Sequence, residues 1–188
     1  LINIYRNEEI ILLNKSLDNH IKKHPLYMPS YAIKLALLTG MRVGEISALQ
    51  WQSIRNNYIY IDYSEHIIKY TDKPQEVIIG APKNRKHRKI PITKEIQSLL
   101  DEIKELNASQ TFLFVNKDGN RHTGHDLACA LDRRASEAGI KKTSIHGIRK
   151  TISSILNTML PRSAVANLLG HLETTNERFY DFDITNYN

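Results

Sequence analysis

The chain has 188 residues, 41% of them hydrophobic, and a formal net charge of +6 with a pI of about 9.3. That length fits one domain with a proper core, and the basic balance points to an acidic partner such as nucleic acid. The only cysteine, Cys129, excludes an internal disulfide and suits a reducing cytoplasm, and no apolar run is long enough to cross a membrane.

A helix is predicted over residues 7–24. Asn7 can cap it, Glu8 and Glu9 suit its first turn, and Ile10, Leu13, Leu17 and Ile21 form one stripe before Pro25 stops it. A second helix opens at Ser30 and runs to Thr39. It is apolar nearly all round, which marks a buried element, and Gly40 is its expected stop. Arg42 then stands between this buried helix and the start of another. Its neighbours are core-like, so its side chain must find a specific anion, a mouth of solvent or the nearby Glu45. Gly44 would let another segment approach closely.

Residues 51–92 change to a two-residue period, with strands expected at Tyr58–Ile61 and Glu76–Ile79. The stretch between Ile79 and Ile90 is expected to be a hairpin. Its tip holds six basic side chains in seven positions: Lys83, Arg85, Lys86, His87, Arg88 and Lys89. A charge run is usually a solvated loop, but so dense a cluster repels itself without a polyanion, and a phosphate backbone fits that need.

Thr93 is the expected cap of a helix ending near Leu106. Phe112–Val115 reads as a short buried strand, and 117–120 as a turn. Thr123 or Asp126 begins a helix that ends at Gly139, with Cys129 expected as a buried, inert thiol. The next helix carries His146 and Arg149, with Ile148, Ile152, Ile155 and Met159 as its expected buried stripe and His146, Arg149, Lys150 and Ser153 opposite. A spacing of three puts His146 and Arg149 on one face of the first turn, where the helix end is partly positive and suits a phosphate. Pro161 opens a further helix with Val165, Leu168 and Leu169 inward, and Gly170 ends it. A last helix is expected from Thr174 past Tyr180. With no repeat or linker in sight, residues 1–188 read as a single domain.

Tyr180 is the candidate nucleophile. A phenol with a pKa near 10 is ionised in only about one molecule in a thousand at neutral pH, so it needs cations nearby to lower that pKa and absorb transition-state charge. His146, Arg149 and His171 precede it in the same third of the chain. A tyrosine near a chain end is more often a packing residue, and it is the remaining motifs that raise the catalytic reading.

Five motifs lie in order: Thr39 to Leu49 (Thr-Gly-Met-Arg-Val-Gly-Glu-Ile-Ser-Ala-Leu); Pro82-Lys83-Asn84, five residues, then Ile90-Pro91-Ile92; His146 to Thr151 (His-Gly-Ile-Arg-Lys-Thr); Leu168-Leu169-Gly170-His171; and Tyr180, nine residues after His171. Together they resemble the catalytic domain of the tyrosine recombinases, the phage-integrase family, from about Glu8 to Tyr180. The resemblance implies an α+β fold, mostly helical, with a small antiparallel β-sheet or hairpin on one side. It implies a site-specific recombinase that cuts and rejoins double-stranded DNA through a 3′-phosphotyrosyl intermediate. Tyr180 would attack the phosphodiester, Arg42 and Arg149 would clamp its non-bridging oxygens, and His171 would add a hydrogen bond. His146 would act as base, and Lys83 would protonate the departing 5′-oxygen. Lys86 rivals Lys83, because the family's hairpin lysine often sits between threonines and here its neighbours are Pro82 and Asn84. Arg85, Lys86, Arg88 and Lys150 are the expected DNA contacts. Glu45 is expected to be a structural partner of the Arg42 turn.

Neither a metal nor another cofactor nor ATP is expected, since the basic residues supply the charge and the covalent link conserves the bond energy. The chain opens on Leu1, so a fragment is expected, lacking the family's N-terminal DNA-clamping domain. The full protein is expected to be a tetramer on DNA and this piece mainly a monomer, located with the nucleoid in the cytoplasm of a bacterium or on a phage or mobile element. Two other classes compete. Val165 to Gly170, then Thr174-Thr175 before Arg178, also resembles a helix-turn-helix reader, which would not require Arg42 or Lys83. A nuclease using His146 and His171 as metal ligands lacks the expected acidic cluster.

Overall fold

The computed structural model of the chain describes residues 4–82, 88–107 and 109–170. Lys83, Arg85, Lys86, His171, Tyr180 and the helix expected from Thr174 lie outside the described residues.

The first helix, α1 (Asn7–Lys23), buries Leu13, Leu17 and Ile21 as its stripe requires. Its N-cap is Arg6 rather than Asn7, with the Glu9 carboxylate accepting from the Arg6 backbone N–H at 2.7 Å. Next, α2 (Met28–Thr39) begins two residues earlier than Ser30, because Pro29 is well suited to a first helical turn that needs no N–H donor. Tyr31, Ala32, Ile33, Leu35 and Ala36 have no exposed surface. A helix without a polar face must be surrounded, and α2 is. It packs against α1, α3 (Val43–Ser47), α4 (Lys94–Leu106), α5 (Gly124–Glu137) and α6 (Ile145–Met159). The last described helix is α7 (Arg162–Leu169), packed on α6.

Five short strands stand beside this bundle. In the first sheet the order is β1 (Ile54–Arg55), β2 (Tyr58–Tyr60), β5 (Lys89–Pro91), all antiparallel. Asn56 and Asn57 both take positive φ, 52° and 62°, as the tight turn joining β1 to β2 requires. A separate two-stranded sheet joins β3 (Ser64–Ile68) to β4 (Glu76–Gly80), with Ser64 opposite Gly80 and Ile68 opposite Glu76.

This topology corrects the expected hairpin. Strand β4 pairs antiparallel with β3 and strand β5 with β2, so β4 and β5 are not each other's partners. The two-residue period identifies strands but not their partners. Gly44 does permit a close approach: a Cβ there would lie 2.7 Å from the Glu65 carbonyl of β3. Phe112–Val115 forms only isolated bridges, Gln50 to Phe112 and Val115 to Arg121, although Leu113, Phe114 and Val115 are buried. Cys129 is half-buried rather than buried, with its Sγ 3.5 Å from His125 Nε2. No described helix is long and apolar enough to cross a membrane.

Candidate active site

Arg42 caps α3, and its position follows from two neighbours. The Glu45 carboxylate accepts from the Arg42 backbone N–H at 2.8 Å and from its guanidinium at 2.9 Å. The other end of the guanidinium donates to the Gly170 carbonyl at 3.1 Å. Two of its five N–H groups are thus used among the described residues, and the side chain stays 29% exposed.

Arg149 reaches the same place from α6. It donates to the Gly40 carbonyl at 2.8 Å and to the Leu169 carbonyl, and has no exposed surface. This corrects part of the expected orientation of α6, in which Ile148 is buried and His146 exposed as expected. Arg149 and Ser153 face inward, together with Thr151 and Ser154, while Met159 is 73% exposed. The polar face is the packed one because its partners are backbone groups from distant segments. Thr151, for instance, accepts from the Tyr5 backbone N–H at 2.9 Å.

Two glycines make the convergence possible. Gly40 ends α2 at φ +63°, and a Cβ on it would strike Leu169 at 2.9 Å. Gly170 ends α7 at φ +72°, where a Cβ would strike Arg88 at 2.9 Å. Both need the left-handed backbone and the missing side chain. In consequence the carbonyls at the ends of α2 and α7 accept the two arginines, and the next residue after Gly170 is His171.

His146 stands in the first turn of α6, whose N-cap Ser144 accepts from the Gly147 N–H at 3.1 Å. Loss of hydration lowers the imidazole pKa from its ordinary value of 6.5, and the charges of Lys150, Arg149 and Arg42 lower it further. All of these influences act in the same direction, while the residue itself stays exposed. Lys150 is half-buried.

Arg88 is the clearest departure from expectation. Assigned to the DNA-contacting tip, its side chain is instead only 7% exposed and turned inward. Its two terminal nitrogens donate to both oxygens of Glu45, at 2.8 and 2.7 Å, and its Nε donates to the Leu168 carbonyl at 3.0 Å. Position in a charge run gave no hint of this, because Glu45 is far away in sequence. Burial alone would raise the Glu45 pKa, but the hydrogen bonds and charge of Arg88, with those of Arg42, outweigh it and hold the carboxyl down at about 2. Glu45 is the structural partner of Arg42 as expected, and of Arg88 as well.

A second buried acid, Glu65, escaped the sequence reading. Its carboxylate accepts from Arg121, from Ser47 Oγ at 3.2 Å and from the Gly124 N–H at 3.0 Å, tying β3 to α3 and to the start of α5. Among the described residues no three His, Cys, Asp or Glu side chains gather as a metal site. Cavities of about 480 Å³ beside α1 and α5, and about 500 Å³ beside α1, α2 and α4, are lined by none of the site residues.

A helical bundle with small antiparallel sheets is the architecture of a tyrosine recombinase catalytic domain. The sequence profile of the phage integrase family matches residues 5–181, and the chain belongs to that family. It is 27% identical to the integrase of Staphylococcus phage L54a, over 91% of this chain and 52% of that protein. It is 26% identical to the tyrosine recombinase XerC of Corynebacterium glutamicum, over 80% of this chain and 45% of that one. Among solved structures, the Tn1549 transposon integrase with circular intermediate DNA superposes with a TM-score of 0.72 at 20% identity, covering 89% of this chain and 58% of that one. The XerH recombinase bound to its difH substrate gives 0.69 at 24% identity, over 97% and 51%. The chain spans about half the length of the curated relatives it matches.

Proposed function

We propose that the chain carries the catalytic machinery of a site-specific DNA recombinase, which cuts and rejoins strands through a 3′-phosphotyrosyl intermediate. The observation that carries this reading is the meeting of Arg42 and Arg149 on the Leu169–Gly170 backbone, directly before His171. Two guanidiniums held at one point by backbone acceptors form a preorganised positive site, which phosphoryl transfer needs more than any other contribution. A non-catalytic helix-turn-helix reader has no use for an enclosed arginine at that point.

In the proposed reaction the Tyr180 oxygen bonds to the scissile phosphorus, and its proton passes to neutral His146. The bond from phosphorus to the 5′-oxygen breaks, and Lys83 supplies the proton that oxygen takes up. Arg42 and Arg149 bear on the non-bridging oxygens, and His171 adds a hydrogen bond to them. Rejoining reverses these steps, so no ATP is needed. Residues 1–188 act as one catalytic domain, with Arg85, Lys86 and Lys150 on flanking phosphates. Arg88 is not among these contacts.

The Tn1549 and XerH structures are of recombinases with DNA, and that of lambda integrase is a tetramer on a Holliday junction. Kinship supports double-stranded DNA as the partner and a tetramer as the working state of the full protein, in the cytoplasm at the nucleoid. The chain alone is expected to be monomeric and to bind DNA with little sequence preference.

The test is trapping on a nicked suicide substrate. A covalent protein–DNA adduct is expected, undiminished by excess chelator and absent in Tyr180→Phe. An adduct of wild-type amount in that variant removes Tyr180 as nucleophile. Strand cleavage that requires added Mg²⁺ or Zn²⁺ and leaves no covalent adduct replaces this reading with a metal nuclease.

A further inference from the structure

Three charged groups share one junction. Glu45 is 2% exposed, Arg88 7% and Arg42 29%. Their formal charges sum to +1, and the only member of the three that reaches solvent appreciably is Arg42. The carboxylate is not shared evenly. Arg88 binds both of its oxygens in parallel, the strongest geometry available to a guanidinium and a carboxylate. Arg42 touches one oxygen with its side chain. Arg88 is also fixed from a third side by the Leu168 carbonyl and by its packing on Gly170.

We propose that Arg88 is a positioning residue for DNA cleavage: by neutralising Glu45 it leaves the charge of Arg42 available to the scissile phosphate. This rests on the reading of Arg42 as a phosphate clamp. Without Arg88, Arg42 and Glu45 would form a closed, neutral pair, and an incoming phosphate would have to compete with a buried carboxylate for the same guanidinium. The junction also joins three segments, since Arg88, which directly precedes β5, is linked to α3 through Glu45 and to α7 through Leu168.

The experiment measures single-turnover cleavage by the full chain on two suicide substrates. One has an ordinary phosphodiester at the scissile position. The other has a methylphosphonate, in which a methyl group replaces one non-bridging oxygen and the linkage carries no charge. The variants are Arg42→Ala, Arg88→Met, and Arg88→Met combined with Glu45→Gln. Arg42→Ala and Arg88→Met are expected to slow the phosphodiester by about tenfold or more and to lose most of that deficit on the methylphosphonate. Adding Glu45→Gln to Arg88→Met should restore most of the lost phosphodiester rate, because it removes the carboxylate that captures Arg42.

A merely structural role for Arg88 would slow both substrates alike, and that result overturns the proposal. So does an Arg88→Met enzyme that cleaves the phosphodiester at the wild-type rate. Should Arg88→Met fail to fold, the double variant carries the test, since its buried pair is uncharged. A folded double variant as slow on the phosphodiester as Arg42→Ala refutes the charge argument. If Arg42→Ala itself shows no difference between the substrates, the phosphate-clamp reading fails, independently of anything seen at Arg88.

Discussion

Glu45 and Glu65 are both buried carboxylates held by arginines, on opposite sides of α3, and they do different things. Glu65 has one arginine, Arg121, with Ser47 and the Gly124 N–H completing its shell, so the group is neutral and closed. Glu45 has two arginines, and one of them is still partly exposed. The same chemistry gives a staple where the charges balance and a cationic site where they do not. The number of arginines per carboxylate, more than the presence of a buried ion pair, marks where an anion can bind.

The largest expected effect falls on the staple. Arg121→Met leaves Glu65 buried without its counter-charge and should cost about 3–5 kcal/mol in denaturant unfolding. Cleavage per folded molecule should be nearly unchanged, so a selective loss of cleavage would erase the contrast. Acid titration comes next. The Glu45 carboxyl is held at about 2 against an ordinary 4.5, so its contribution is full above about pH 4.5 and is lost as pH falls towards 2. A shift of that size corresponds to about 3 kcal/mol, and an acid-unfolding curve of Arg88→Met should lack most of it.

Arg42→Ala should slow cleavage about a hundredfold, equivalent to about 2.7 kcal/mol of barrier. Its melting temperature should change little, because Arg88 still holds Glu45 by both oxygens. A melting loss as large as that of Arg121→Met would make Arg42 a staple too. The smallest effect belongs to His146. Its folded pKa lies below 6.5, so the unfolded chain takes up the proton first and stability declines as pH falls below about 6.5. His146→Gln should flatten that decline in a series of melts across pH, while wild-type cleavage persists to lower pH than an ordinary histidine would allow.

Local signals were legible where the physics is local. Thr93 caps α4 and Gly170 ends α7 as read from the sequence, and Thr123, one of the two starts it offered, caps α5, because caps and left-handed stops involve only neighbours within a turn. The motifs also singled out Arg42, His146 and Arg149, which the fold brings near one another. What the sequence concealed were the long-range partners. The polar side of α6 looked like a solvent face because the acceptors of Arg149 belong to Gly40 and Leu169. Arg88 looked like one of six equivalent basic side chains because its carboxylate lies in α3. The expected hairpin failed because strand alternation says nothing about which strand is opposite. Glu65 carried no motif and announced itself only through its contacts.

The anchoring of Arg149 also bears on how the protein is made. Its acceptors at Gly40 and Leu169 stand on either side of it in the chain, and the backbone N–H of Tyr5 is held by Thr151. As the polypeptide leaves the ribosome, α2 emerges with no polar face and with its packing partners α4, α5 and α6 still unsynthesised. Contacts of such wide separation close slowly, because the loop entropy must be lost before they form. The arginine pair therefore has no acceptor at Leu169 or Gly170 until α7 has been released. A nascent or truncated chain ending before α4 exposes an apolar helix in search of a partner, which makes it a client for chaperones rather than a partial enzyme.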